Sequence, residues 1–176
     1  ADNFSFYIFK TGIVVFVLYS VFSIGVLIYG KFLIGAMNPS EIDFDSTNAY
    51  LQLETVAFMV GITVSFINVV FVVVGKDKNV YIFLFINSAL SLIFDFVLLP
   101  SMGIFGVAIS NIIVNSILSI FGILLLYRQK YLRFGKFSKS DLLLFKRWSK
   151  VGFFSGIQQF IDNFIYAVMV CKMVNM

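Results

Sequence analysis

The sequence predicts an all-α, polytopic membrane protein, and three observations lead to that fold class. Of its 176 residues, 60% are hydrophobic and 12% are charged, whereas an average soluble domain carries about 25% charged residues. The chain also contains several apolar runs of about 20 residues, the length of helix that spans the hydrocarbon core of a bilayer. Finally, these runs lack the alternating polarity of β-barrel strands, so their backbone groups require helices in lipid.

Five apolar segments are predicted to be transmembrane helices. They cover residues 11–30, 55–75, 79–100, 104–127 and 151–170. The predicted connections are an acidic loop, two short turns and a long basic segment, at 37–54, 76–78, 100–103 and 128–150. Because the chain starts at Ala1 and stays apolar almost to Met176, we expect it to be an internal piece of a longer polypeptide that supplies further helices.

Lysine and arginine fall on alternate connections. Lys10 precedes the first apolar segment, two lysines lie in 76–78, and eight basic residues lie in 128–150. The other two connections carry none, and Lys31 stands at the outer edge of the first helix. The positive-inside rule therefore places the N-terminal flank, 76–78 and 128–150 in the cytoplasm of a multi-pass protein of the cell membrane.

The long basic segment contains the pattern of a short amphipathic helix. Ser138 and Asp141 have the spacing of a capping box, and Leu142, Phe145 and Trp148 follow on one side. Such a helix lies at the membrane surface. Two interpretations stay open, namely a linker whose lysines only fix the topology and an element that binds specific lipids.

Two aspartates interrupt apolar runs. Asp95 lies within 79–100 and Asp162 within 151–170, where a carboxylate costs about 2.5–3.5 kcal/mol on insertion scales. No lysine or arginine occurs in the middle of any of the five segments, so a buried salt bridge within this chain is excluded. The remaining options are a bound proton, a bound cation or a water-filled vestibule.

Other polar side chains form stripes at three- and four-residue spacing on otherwise apolar helices. The stripes are Gly61, Ser65 and Asn68; Asn87, Ser91 and Asp95; Asn111, Asn115 and Ser119; and Ser155, Gln158, Gln159, Asp162, Asn163 and Tyr166. They either line a shared interior or hydrogen-bond between packed helices, at about 0.6 kcal/mol each.

Several function classes are disfavoured by what the sequence lacks. It has no histidine and one cysteine, Cys171, so neither imidazole metal sites nor an internal disulfide are expected. It contains no HExxH or GxSxG motif, and we expect neither an enzyme nor a cofactor. The net charge of +4 comes from residues in short loops rather than from one basic face, so a nucleic-acid partner is not expected.

The order of motifs resembles the multidrug and toxic compound extrusion (MATE) transporters over nearly the whole chain. NAYLQLE at 48–54 looks like the entry to the family's fourth helix, and GKDKN at 75–79 like the turn after it. NSALSLIFDFVLL followed by GIFGVAISN, at 87–99 and 103–111, resembles the fifth helix and the start of the sixth. GFFSGIQQFIDNFIY at 152–166 resembles the start of the seventh, where the family carries a carboxylate at the position of Asp162.

The resemblance implies helices three to seven of a twelve-helix, two-lobe transporter. Residues 1–127 would complete the N-terminal six-helix lobe, 128–150 would link the lobes in the cytoplasm, and 151–176 would begin the C-terminal lobe. It also implies a cation-coupling site at Asp95, Ser91 and Asn111, with Asn68 a looser match.

The polar stripes add residues to the cation-coupling site and also predict a second site, a substrate cavity. Asn87, which shares a stripe with Asp95, and the intramembrane Asp162 join the cation-coupling residues. The predicted substrate cavity contains Gln158, Gln159, Asn163, Tyr166 and Asn115.

The sequence is thus interpreted as a secondary active exporter of lipophilic or cationic compounds, driven by H⁺ or Na⁺. Its expected partners are these small substrates, membrane lipid and the remaining helices of the same polypeptide. Two alternatives stay open: a flippase for lipids or lipid-linked oligosaccharides from the same superfamily, and a solute-binding membrane subunit of an ATP-driven importer.

Overall fold

Four long helices make up most of the described chain. The computed structural model describes residues 2–36, 44–133, 135, 145–146 and 149. Its helices are α1 (Asp2–Ala36), α2 (Phe44–Val73), α3 (Asp77–Met102) and α4 (Ile104–Arg128). All four are long and apolar enough to cross a membrane, and no strand occurs among the described residues. The predicted fold class, a polytopic helical membrane protein, is confirmed for this part of the chain.

The helices extend beyond the apolar runs that predicted them. α2 differs most, because residues 44–54 are helical although they were predicted to belong to a loop. Two features favour the longer helix: Asp45 lies in its first turn, near the positive end of the helix dipole, and Lys31 Nζ of α1 donates to Asp45 Oδ1 at 2.8 Å. The predicted turn 100–103 is likewise too long, since α3 continues through Pro100 to Met102.

The turn between α3 and α4 is a single residue, Gly103, with a φ of 58° that favours glycine. The Gly103 N–H donates to the Leu99 carbonyl at 2.9 Å, and the Gly106 N–H donates to the Gly103 carbonyl at 2.9 Å. A Cβ atom on Gly106 would lie 2.7 Å from the carbonyl carbon and oxygen of Leu98. The backbones of α3 and α4 therefore approach closely just after the turn.

Contacts between helices fix their directions. α1 runs antiparallel to α2, because Gly12 lies against Phe66 while Gly30 lies against Asn48. α2 and α4 run in the same direction, since contacts between them advance together along both chains. Ser5 Oγ donates to the Lys130 carbonyl at 2.8 Å, so the start of α1 lies beside the end of α4. The described basic residues just after α2 and at the end of α4 consequently lie at one end of the helices.

A small aromatic and aliphatic core holds α2, α3 and α4 together. Phe71 and Phe83 are fully buried, and their ring centroids lie 5.6 Å apart. Gly122 of α4 makes room for this packing, because a Cβ there would lie 2.6 Å from Ile67 Cδ1. In contrast, many outward aromatic side chains are exposed, up to 80% for Phe96, which is the distribution expected when the surrounding solvent is lipid.

The chain divides into two compact units, Ala1–Gly135 and Lys136–Met176. In the second unit, Phe145, Lys146 and Ser149 are helical, and Ser149 Oγ donates to the Lys146 carbonyl at 3.0 Å. The fifth predicted helix, 151–170, lies outside the described residues, as does most of the predicted amphipathic helix.

Candidate functional site

A ladder of polar contacts joins α2 to α4 at successive turns. The three side chains of α4 that form it are the stripe predicted from the sequence. Asn111 Nδ2 donates to Glu54 Oε1 (3.3 Å), Asn115 Nδ2 to the Ala57 carbonyl (3.4 Å), and Ser119 Oγ to the Val60 carbonyl (3.3 Å). The stripe thus forms hydrogen bonds between packed helices, and two of its members also line an interior cavity, so both interpretations of its spacing apply.

Beside this ladder lies a polar cavity of about 410 Å³ between α2, α3 and α4. Half a dozen polar side chains line it, and the rest of the wall is formed mainly by aliphatic side chains and Phe58. The polar residues are Glu54, Ser65, Asn68, Asn87, Asn111 and Asn115. The cavity brings together four residues from the two predicted sites, namely Asn68, Asn87, Asn111 and Asn115.

Among the described residues that form the wall of this cavity, Glu54 is the only charged one. It is half-buried and lies about 15 Å along α2 from Phe44, at 1.5 Å per residue. Tyr50 Oη donates to Glu54 Oε1 at 3.1 Å, and Asn111 Nδ2 donates to the same oxygen at 3.3 Å. Within the described residues, Oε2 accepts no hydrogen bond, so one carboxylate oxygen stays available to a ligand.

Aromatic rings flank Glu54 on α2. Tyr50, Glu54 and Phe58 are four residues apart and therefore share one side of the helix. The Phe58 side chain is 51% exposed, and its ring centroid lies 5.8 Å from that of Tyr19 on α1. The carboxylate consequently has an aromatic side chain one turn before it and another one turn after it.

Asp95 lies in a different place. It lines a groove of about 500 Å³ along one side of α3, together with Ser91, Ser88, Leu92, Phe96, Leu99 and Pro100. The wall of the polar cavity includes Asn87 of the same predicted stripe but neither Ser91 nor Asp95. The structure therefore divides the predicted cation-coupling residues of the first four helices between two places.

Two side-chain oxygens, one from the groove on α3 and one from the polar cavity, are buried without a hydrogen-bond partner in the described part of the chain. They are Asp95 Oδ1 and Asn68 Oδ1. A buried oxygen with no donor costs free energy, and a bound ligand, proton or water relieves that cost. The remaining predicted site residues, Asp162, Gln158, Gln159, Asn163 and Tyr166, lie outside the described residues.

The sequence reasoning missed Glu54 as a site residue and assigned it to a loop. A usable signal was present, because Glu54, Gly61 and Asn68 are seven residues apart. Seven residues of α-helix complete almost two turns, which puts all three on one side of α2. Because the second helix was predicted to start at residue 55, the predicted stripe began at Gly61 and left out Glu54.

A third cavity, of about 340 Å³, is almost entirely apolar. It lies between α1, α2 and α4, and its wall includes Phe9, Gly12, Phe16, Phe66 and Leu126. Gly12 lets the Phe66 ring approach α1 closely, since a Cβ there would lie 2.9 Å from Phe66 Cε1. The described bundle therefore offers an apolar cavity as well as the polar one.

Gly61 and Asn115 should be energetically coupled, because a Cβ on Gly61 would lie 3.1 Å from Asn115 Nδ2. We expect Gly61→Ala to displace this amide from the Ala57 carbonyl and to lower the unfolding free energy by about 0.6 kcal/mol, the usual value of such a hydrogen bond. In an Asn115→Ala background, the same substitution should be neutral or stabilising, since alanine favours helix. A double-mutant cycle of unfolding in detergent measures this coupling, and additive effects would contradict it.

Among the described residues, no three His, Cys, Asp or Glu side chains come together as metal ligands. Comparisons with protein families, curated proteins and solved structures found no match to this chain.

Proposed function

We propose that this chain belongs to a secondary active transporter of the cell membrane, which exports lipophilic or cationic compounds in exchange for H⁺ or Na⁺. The observation that carries the proposal is the polar cavity, in which a carboxylate and four amide side chains lie between helices long enough to span a membrane. In addition, Asp95 lies within an apolar run of α3, and intramembrane ionisable residues are rare and usually belong to substrate or ion pathways.

In the proposed mechanism, the coupling ion neutralises a carboxylate on a membrane-spanning helix. Asp95, supported by Ser91, is the coupling residue on α3, and Asp162 is proposed as a second one. A proton or Na⁺ that binds one arrangement of the lobes more tightly than the other shifts the equilibrium between them. Rocking of two lobes about a central cavity then exchanges access between the two sides of the membrane.

Two further features support this proposal. The ordered motifs from NAYLQLE to GFFSGIQQFIDNFIY resemble MATE transporters, which implies the same function. In addition, the described basic residues just after α2 and at the end of α4 lie at one end of the bundle, in keeping with a cytoplasmic location under the positive-inside rule.

Transport by the intact protein in everted membrane vesicles tests the proposal. We expect vesicles to accumulate ethidium when an H⁺ or Na⁺ gradient is imposed with the ion concentrated in the lumen, and to lose it when an ionophore collapses that gradient. Vesicles without the protein are the control. Uptake that requires ATP, or that is equal with and without a gradient, would contradict an ion-coupled exporter.

A lipid flippase is the second candidate, and the apolar cavity between α1, α2 and α4 is the observation that favours it. Its 340 Å³ and its phenylalanine-rich wall suit an acyl chain. Reconstitution into liposomes with a fluorescent phospholipid distinguishes the two candidates. A flippase moves the label between leaflets, whereas the exporter leaves the lipid distribution unchanged and moves ethidium.

A further inference from the structure

We infer that Glu54, Phe58 and the neighbouring amides of α4 form a binding site for the ammonium group of a small organic cation. This inference rests on the proposed function, because it identifies which part of a transported substrate the described helices would bind. Three properties of the polar cavity carry it: its charge, its aromatic neighbours and the amide groups near its carboxylate.

The first property is a negative charge that no described lysine or arginine in the cavity wall compensates. Glu54 Oε1 accepts hydrogen bonds from Tyr50 and Asn111, two neutral donors that orient the carboxylate without neutralising it. No lysine or arginine of α2, α3 or α4 lines the cavity, and α1 contributes no residue to its wall. Lys31 of α1 instead pairs with the exposed Asp45. The unbonded Oε2 is therefore placed to accept a charge-assisted hydrogen bond or to face a quaternary ammonium.

The second property is the aromatic ring of Phe58, one helical turn from Glu54. An ammonium group is attracted to the face of an aromatic ring within about 6 Å of its centroid. The tilted contact with Tyr19 holds the Phe58 ring, and half of the Phe58 side chain stays exposed. A carboxylate combined with an aromatic face is a suitable environment for an organic cation.

The third property is the polar remainder of the cavity. Asn115, which donates to the Ala57 carbonyl, lines the same cavity, so its amide oxygen can accept a hydroxyl or N–H group of a ligand. The volume of about 410 Å³ lies in the range of small-molecule sites. An inorganic ion fits less well, because a hard cation needs a shell of several oxygens, whereas Tyr50 and Asn111 turn hydrogens toward Glu54.

Choline and its uncharged isostere 3,3-dimethylbutanol test this site, because they have nearly the same shape and differ in charge. Calorimetric binding to the purified intact protein, without any ion gradient, compares the two ligands. We expect choline to bind at least about tenfold more tightly, a difference of about 1.4 kcal/mol. Glu54→Gln should abolish this preference, since the amide oxygen can still accept both hydrogen bonds but carries no charge. Phe58→Leu should weaken choline binding severalfold and leave the isostere unchanged.

Asp45→Asn is the matched control, because it removes one carboxylate from the same helix at an exposed position. It should leave the preference for choline intact. Glu54→Asp keeps the charge and should keep a reduced preference, which separates loss of charge from loss of folding. Equal affinity of the native protein for both ligands would overturn the inference, as would equal losses in Glu54→Gln and Asp45→Asn. Since these measurements need no gradient, their failure is distinct from a failure of ethidium transport in vesicles.

Discussion

Gly106→Ala is expected to disrupt the hairpin of α3 and α4 and to lower the unfolding free energy by about 1–3 kcal/mol, the usual range for overpacking. The added methyl group would lie 2.7 Å from the carbonyl carbon and oxygen of Leu98. These are backbone atoms of α3, so no rotamer change relieves the clash. The two helices must separate, although the single-residue turn at Gly103 ties them together. The gain in helix propensity from alanine, about 1 kcal/mol, is opposed by this strain.

Unfolding of the purified protein in detergent measures the effect, with Gly25→Ala as the matched control. Gly25 lies within α1, and a Cβ there meets no atom within 4 Å. Alanine at Gly25 should therefore be neutral or stabilise the protein through helix propensity alone. If both alanine variants changed stability equally, the close approach at Gly106 would not be what holds α3 against α4.

The four described helices were predictable because hydropathy reports directly on the part of a helix that lies in lipid. Each of the four described spans was found from an apolar run. The starts of the helices were not predictable in the same way, since a helix continues past the hydrocarbon into polar residues that carry no hydropathy signal. Residues 44–54 show this limit, because contacts such as Lys31 with Asp45 stabilise the extra turns, and these contacts need α1 in place.

The division of the predicted cation site between two places has a geometric cause. Asn87, Ser91 and Asp95 are four residues apart, but an α-helix turns by about 100° per residue. Four residues leave an offset of about 40°, and eight residues leave about 80°. Asn87 therefore lines the polar cavity while Asp95 lines a groove on α3. Sequence spacing predicted a common stripe, but only the positions of α2 and α4 decide which members of it share a cavity.

The polar stripe of α4 was predicted more completely than that of α2. Asn111, Asn115 and Ser119 all lie within an apolar run, where polar residues are conspicuous. Glu54 lies among the polar residues of 44–54, where a carboxylate is common and does not by itself indicate a site. Its importance comes from its hydrogen bond with Asn111, 57 positions later in the chain. A contact of that sequence separation depends on the packing of α2 against α4, which composition and periodicity do not specify.

Asp95→Asn is expected to remove ion coupling, so that gradient-driven ethidium uptake falls to the level of vesicles without the protein. Asp95 Oδ1 is buried and has no hydrogen-bond partner among the described residues. A charged oxygen in that position is costly unless a proton or a cation accompanies it. Asparagine has nearly the same shape but carries no charge for the ion to neutralise. The substitution should therefore preserve folding while it removes the dependence of the lobe equilibrium on the ion.

Asp77→Asn provides the matched control, because Asp77 is an exposed carboxylate in the first turn of the same helix. Uptake by this variant should respond to the H⁺ or Na⁺ gradient as the native protein does. Asp162→Asn, measured in parallel, tests whether the second proposed carboxylate is also required. Full ion dependence in Asp95→Asn would remove Asp95 from the coupling site. If Asp162→Asn alone then lost that dependence, coupling would belong to Asp162, and the unpartnered oxygen of Asp95 would mark a water-filled vestibule instead.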